Sequence, residues 1–508
     1  TLLLSPLVLL QDETVRDFKR FYRRTKDPVE RVELIRSLEG LDTPEVAEAL
    51  KKILVDKEKV IADAALAVVT QLPSPEARAP YIEVLKTRKP AEILAPVARA
   101  AGAGRWQESS EFVRPLLMHK DSSVRLWAAV APGLLGDSES METLSIMVTE
   151  DVEPAVRVAA VDSLGVLGRG REGRAARALV MALNDTALEV KTAACLALRQ
   201  VRTTEAVAPL IRILSEEKGR ILEQVVPTLY ELTDLQLGAD YSAWVGWWES
   251  ASQRGYRIPT AAELNKRRAA REETASIYRA SRPEAEFLGI PTPSRNVVFV
   301  IDISGSMEEE VVDRKSFRER GFTRFRKLDI VQEELARSIE SLGPEVRFNL
   351  FAFATEVYPW RKKLVPANAL NRRSATAFVR DLEPLGGSAA AAAGSAGLQR
   401  SSDERKGMTN TWAGLLAGLG FSIGGKAELS AETATEFKKG AGDTLFFLSD
   451  GRPSVGDLVD TDDILEGILE LNRFRRVVIH TIAIGEFQKD FMEYLARDTG
   501  GIFMDLGR

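Results

Sequence analysis

The stretch VVFVIDISGSM, residues 297–307, decides the reading of this chain. An unbroken run of Val, Phe and Ile ends in Asp302, and hydroxyls follow at Ser304 and Ser306 with Gly305 between them. A continuous apolar run of this length predicts a strand buried on both faces, the form strands take in parallel sheets. Its polar tail then falls at the strand's C-terminal end, the edge where open α/β sheets bind ligands. Gly305 lets the backbone turn tightly there. Asp302, Ser304 and Ser306 are all oxygen donors, the ligand type that hard cations such as Mg²⁺ take. The plainer alternative is a helix N-cap or a turn, where Asp and Ser are also favoured.

Two later segments add to the set. Thr409 stands in GMTN, residues 407–410, just before the apolar helical run that opens at Trp412. Asp450 closes TLFFLSD, residues 444–450, a second buried-strand pattern ending in an acid. Together these residues resemble the metal-ion-dependent adhesion site of the von Willebrand factor A domain, which joins Asp-x-Ser-x-Ser to a Thr and an Asp from two later loops. All five positions are filled in the family's order, and the resemblance extends over roughly residues 295–506. It implies that Ser304, Ser306 and Thr409 provide hydroxyl oxygens, while Asp302 and Asp450 supply charge directly or through water. It implies Mg²⁺, with Mn²⁺ or Ca²⁺ as alternatives, and a coordination position left open. In this family an Asp or Glu carboxylate of a protein partner fills that position. One departure stands out. Members carry Gly-Gly immediately before the Thr, whereas here Gly386-Gly387 is followed by a low-complexity insert, residues 388–406. The insert belongs at the rim of the site, as a gate on the open position or as a tolerated surface insertion. A second insertion, residues 308–326, is rich in charge and belongs to the same face.

Around these motifs, strand-like and helix-like runs alternate. Strands are expected at residues 297–302, 346–354, 443–449, 477–484 and 501–506, with a short antiparallel edge strand at 356–360. Helices are expected at 327–342, 367–382, 411–423, 462–472 and 489–499. That alternation implies a mainly parallel sheet, here six-stranded, covered on both faces. The Rossmann-like fold of the von Willebrand factor A domain has this form.

The first half reads differently. DSSVRLWAA at residues 121–129 is echoed from Asp151, with Val156-Arg157 and Ala159-Ala160, and from Asp185, with Val190-Lys191 and Ala193-Ala194. A weaker copy starts at Asp56. Each unit holds two amphipathic runs with helical spacing. Asp at the start of a run suits a helix N-terminus, and the paired alanines allow close approach. The pattern resembles HEAT-type repeats, which stack into a solenoid because one helix pair cannot bury its apolar face alone. Arg125, Arg157 and Lys191 recur at one repeat position and are expected to pair with the Asp of a neighbouring repeat. Trp244, Trp247 and Trp248 suit a helix that closes the array.

The expected organisation is an N-terminal segment (1–25), an all-α HEAT-like solenoid (26–252), a charged helical and Pro-containing linker (253–294) and the von Willebrand factor A domain (295–508). The first ten residues, TLLLSPLVLL, read as a signal-peptide remnant, which points to export in a bacterium; the alternative is an apolar helix packed on the first repeat, against which Pro6 weighs. No other run approaches the length of a membrane span. A net charge of −5 and a pI near 5.6 give no basic excess, so nucleic acid is not an expected partner. The lone cysteine, Cys195, forms no internal disulfide and belongs in a core. Two histidines are too few for a histidine-based metal centre, and His480 reads as a strand residue. The phosphate-loop-like string at Gly420–Lys426 fails at Ala427, where a Ser or Thr is needed. The reading is a non-enzymatic interaction or adhesion-type protein with a metal-dependent site and a solenoid as second surface. Its alternative is an accessory subunit of an AAA+ ATPase or chelatase-type complex.

Overall fold

The computed structural model describes residues 6–170, 173–260, 262–264, 286–287, 290–291, 294–386, 407–421, 442–485 and 489–506. They form two compact units. The first takes residues 6–215 and 224–264; the second takes 216–223 and those from 286 on.

The first unit is helical throughout. The repeat segments become the helices Ser122–Leu135, Pro154–Leu167 and Leu188–Val201, with shorter helices between them. The paired alanines are buried, and successive helices of this set pack against one another. Hydrogen bonds span one repeat: the Ser163 hydroxyl donates to the Ala129 carbonyl at 2.6 Å, and the Tyr81 hydroxyl to that of Ala47 at 3.0 Å.

The expected pairing is observed for Arg125 and Arg157. Arg125 grips Asp151 through two N–H···O bonds of 2.7 and 3.1 Å, and Arg157 grips Asp185 at 2.6 and 2.8 Å. The capping expectation needs correction. Asp121 is a true N-cap, but the helices after Asp151 and Asp185 take Glu153 and Ala187 as N-caps. What recurs is a local bond: Asp56, Asp121, Asp151 and Asp185 each accept from the backbone N–H two residues on. The carboxylate shapes the turn into the helix, and at 151 and 185 it also holds the preceding repeat's Arg.

Helix Pro6–Tyr22 buries Val15 and Phe18 and packs against the helices Pro28–Arg36 and Pro44–Leu50. Pro6 is compatible with it because it stands at the first helical position, where no N–H bond is needed. At the other end, helix Tyr241–Gln253 buries Trp244, whose indole N–H donates to the Gly238 carbonyl at 2.9 Å. Cys195 is buried, and burial pushes its thiol up to about 12, so it is an inert core residue. No helix among the described residues is long and apolar enough to cross a membrane.

The second unit is built on a sheet. A short antiparallel pair, β1 (Glu286–Phe287) and β2 (Ile290–Pro291), precedes it. The main strands are β3 (Asn296–Asp302), β4 (Arg347–Phe353), β5 (Val357–Pro359), β6 (Val365–Pro366), β7 (Thr444–Ser449), β8 (Val478–Ala483) and β9 (Phe503–Asp505). Their order is β5-β4-β3-β7-β8-β9, with β6 also on β4. The pairs β4–β3–β7–β8–β9 are parallel, and β5 and β6 are antiparallel to β4. The path is the expected six strands, and the two-residue β6 makes a seventh.

The central strands are buried on both faces, as their apolar runs require. Aromatic rings stack across the sheet, Phe299 of β3 on Phe446 of the neighbouring β7 and Phe353 of β4 on Phe447 of β7, each pair 5.5 Å apart. Helix Thr411–Leu419 lies close on the sheet because Gly418 has no side chain; a Cβ there would meet Val300 and Leu445 at 2.7 Å. That helix was expected to reach residue 423 but stops at Gly420, whose φ of +89° provides a left-handed C-cap. Most of the linker, the insert at 388–406 and the end of the phosphate-loop-like string lie outside the described residues.

Candidate metal centre

The chain leaves β3 for β4 on one side and later crosses to β7 on the other, so the strand order reverses between β3 and β7. Ligands bind at the carboxyl ends of strands at such a reversal. Asp302 ends β3, and Asp450 follows β7 directly. Parallel register pairs Ile301 with Leu448, which sets Asp302 beside Ser449.

The local bonds fix each donor. Asp302 is fully buried; its Oδ1 accepts from the Ser304 backbone N–H at 2.8 Å and its Oδ2 from the Ser449 hydroxyl at 2.5 Å. The Ser304 and Ser306 hydroxyls lie 3.1 Å apart, and Ser306 Oγ donates to Asp450 Oδ1 at 2.7 Å. The turn that carries them is stapled to the sheet, since Ile303 donates to the Phe353 carbonyl and accepts from the Leu385 N–H, both at 2.8 Å. Thr409 is buried and held by Ser454, whose hydroxyl accepts its N–H and whose N–H donates to its carbonyl, both at 2.9 Å. Asn410 anchors to the Ala354 carbonyl and caps the next helix with its side chain.

The fifth donor, Thr409, meets Asp302 at Gly451. A Cβ on this residue would sit 3.0 Å from Thr409 Oγ1 and 3.4 Å from Asp302 Oδ2. The missing side chain therefore leaves a small cradle between a hydroxyl and a carboxylate. Ser304, Ser306 and Asp450 join Asp302 through the bonds given above, and a set of three hydroxyls and two carboxylates matches the hard-oxygen ligands of Mg²⁺. Among the described residues no group of three or more His, Cys, Asp or Glu forms a metal cluster; the set relies on hydroxyls instead.

The electrostatics point the same way. Burial first, and then the charge of Asp450, push the Asp302 carboxyl up to about 7. Two acids kept this close and this dry lack positive charge. Part of it comes from Lys327, whose ammonium donates to Asp450 Oδ2 at 2.7 Å and to Glu309 Oε2 at 2.7 Å. Burial opposes the charge on Lys327, but these two bonds outweigh it and raise the pKa.

The family model for von Willebrand factor type A domains matches residues 295–402, and that for HEAT repeats matches residues 142–229. The chain carries a von Willebrand factor type A domain and HEAT repeats. Human inter-alpha-trypsin inhibitor heavy chain H4 is 38% identical over 99 residues, 20% of this chain and 9% of the relative. Heavy chain H1 of Mesocricetus auratus is 27% identical over 212 residues, 41% of this chain and 18% of the relative. The chain thus spans less than a fifth of these relatives' length. A von Willebrand factor type A structure from Catenulispora acidiphila shares 15% identity at a TM-score of 0.26, covering 43% of this chain and 40% of that one. Likeness of that order carries no functional information.

Within the type A domain, the structure brings together all five residues expected from the sequence. Three further residues escaped that reading. Ser449 could have been found by aligning the two buried strands, since it lies in register with Asp302. Ser454 and Lys327 carry no comparable signal, one a serine in a loop and the other a lysine in a charged stretch. His480 is a strand residue as expected, its Nδ1 accepting the Ile502 N–H at 3.0 Å across the β8–β9 edge.

Proposed function

We propose that the type A domain binds protein partners through a divalent cation, Mg²⁺ foremost, held by Asp302, Ser304, Ser306, Thr409 and Asp450. The observation that carries this is the cradle at Gly451, where Thr409 Oγ1 and Asp302 Oδ2 both lie within 3.4 Å of the position a Cβ would take. A bound dication would supply a Lewis acid that accepts a carboxylate oxygen. The chain's own part is to fix the donors and keep them dry. Ser449 aims the Asp302 carboxylate, Ser306 aims that of Asp450, and Ser454 sets the Thr409 backbone. Mg²⁺ takes about six oxygens and keeps water readily, so a partner's Asp or Glu has a position to enter. The role is that of an interaction protein rather than an enzyme, with the solenoid as second surface.

A Mn²⁺ titration followed by electron paramagnetic resonance tests this on the full chain. One site in the parent, lost in the Asp302→Ala/Ser304→Ala double variant, is the expected result. No site in the parent would sink the metal-dependent mechanism while leaving the fold untouched.

A further inference from the structure

Asp450 is engaged at both oxygens by the chain itself, with the Ser306 hydroxyl on Oδ1 and the Lys327 ammonium on Oδ2, each at 2.7 Å. The Asp450 side chain is 0% exposed and that of Lys327 only 12%. We propose that Lys327 is a built-in counter-cation, which competes with a divalent ion for Asp450 and thereby sets the affinity of the site. The inference rests on the metal reading above.

The ammonium has two seats. Lys327 is the first residue of helix Lys327–Ser341, and its backbone N–H donates to the Glu309 carbonyl at 2.9 Å. The loop between them is pinned as well: Val311 donates to the Phe325 carbonyl at 2.9 Å, and Phe317 and Phe322 are buried in edge-to-face contact. The stem of Lys327 is therefore anchored beside the site. Its Nζ bridges buried Asp450 and the Glu309 carboxylate, whose side chain is 67% exposed.

Charge bookkeeping follows from these contacts. Asp302, Asp450 and Glu309 carry three negative charges when ionised, and Lys327 carries one positive. A dication would complete the balance. Brought to Asp450, it would repel an ammonium bonded to the same carboxylate, steeply so in a dry site. Moving fully onto Glu309 keeps the ammonium paired and frees Asp450 Oδ2. Without a cation, the ammonium on Asp450 spares the fold an uncompensated buried carboxylate, which is strongly destabilising. Lys327 thus stabilises the metal-free state at the expense of affinity.

The test uses the full chain as parent, Lys327→Met and Glu309→Gln, with Mn²⁺ binding read by electron paramagnetic resonance and thermal unfolding read in chelator. Lys327→Met should bind Mn²⁺ about tenfold tighter or more and melt lower than the parent in chelator. Glu309→Gln, which removes the second seat, should bind Mn²⁺ more weakly and melt as the parent does. Equal or weaker binding by Lys327→Met, with one site in the parent, overturns the competition and leaves the metal reading standing. No Mn²⁺ on any of the three overturns both. Should Lys327→Met fail to fold, Glu309→Gln decides: weaker Mn²⁺ binding supports the proposal and unchanged binding overturns it.

Discussion

Gly451 is the residue on which the site's openness depends. A methyl group there would stand 3.0 Å from Thr409 Oγ1, closer than ordinary contact, and would occupy the position that Asp302 Oδ2 faces. Gly451→Ala should therefore weaken Mn²⁺ binding by about tenfold or more, at an energetic cost of roughly a kcal/mol. The check is to titrate both proteins and compare their melting points; tight binding in the variant would show that the cradle is not where the cation sits. His480 offers a second residue-scale test, away from the site. Burial lowers its pKa from 6.5 to about 4, so the folded state keeps the ring neutral while the unfolded chain takes up a proton. The unfolded state binds more protons between those values, so stability is present above 6.5 and lost as pH falls toward 4. Protection from hydrogen exchange at β8 and β9, taken relative to the intrinsic exchange rate, should fall over that window. His480→Gln should flatten the pH slope; an unchanged slope would assign the acid sensitivity to other groups.

At the scale of elements, the paired arginines of the solenoid and the stacked rings of the sheet bear different loads. Arg157 and Asp185 are each only 10% exposed along their side chains, so the pair is nearly dry. Removing one partner leaves a charge without compensation, and Asp185→Ala should cost about 3 kcal/mol. Faster exchange confined to the helices Pro154–Leu167 and Leu188–Val201 would report that loss. The stacked rings act through packing. Phe447 is fully buried in β7 against Phe353, and Phe447→Ala should cost about 3–5 kcal/mol. A denaturant midpoint within error of the parent would contradict it. The elements themselves were largely legible in the sequence, because the buried strands leave unbroken apolar runs and the helices leave a regular stripe. What the sequence hid was terminal detail. The helix after Thr411 stops early because Gly420 adopts a left-handed conformation, and the repeat Asp acts two residues ahead of the N-cap at 151 and 185. Both outcomes are set by backbone geometry rather than by residue type.

For the whole molecule, the five donors come from three segments spread over nearly 150 residues, and their convergence was legible only through resemblance to a family. Lys327, Ser449 and Ser454 were not, because their roles arise from register and proximity. The described donors all belong to one unit, so a dication at 100 times its Kd should stabilise that unit by about 2.7 kcal/mol. Hydrogen exchange should slow in the strands β3, β4, β7 and β8 and stay unchanged in the helices between 122 and 201. Protection gained in those helices would mean that the cation acts beyond its own unit. The repeat array has a different kind of consequence. Asp151 receives Arg125 of the repeat before it, while Arg157 of its own repeat reaches forward to Asp185. The joint is thus carried half at each end of a cassette. Excising residues 151–184 would hand Arg125 on to Asp185 with no orphaned charge. Such an array gains or loses members by unequal recombination without passing through a broken intermediate, so its length is free to drift while its joints stay the same.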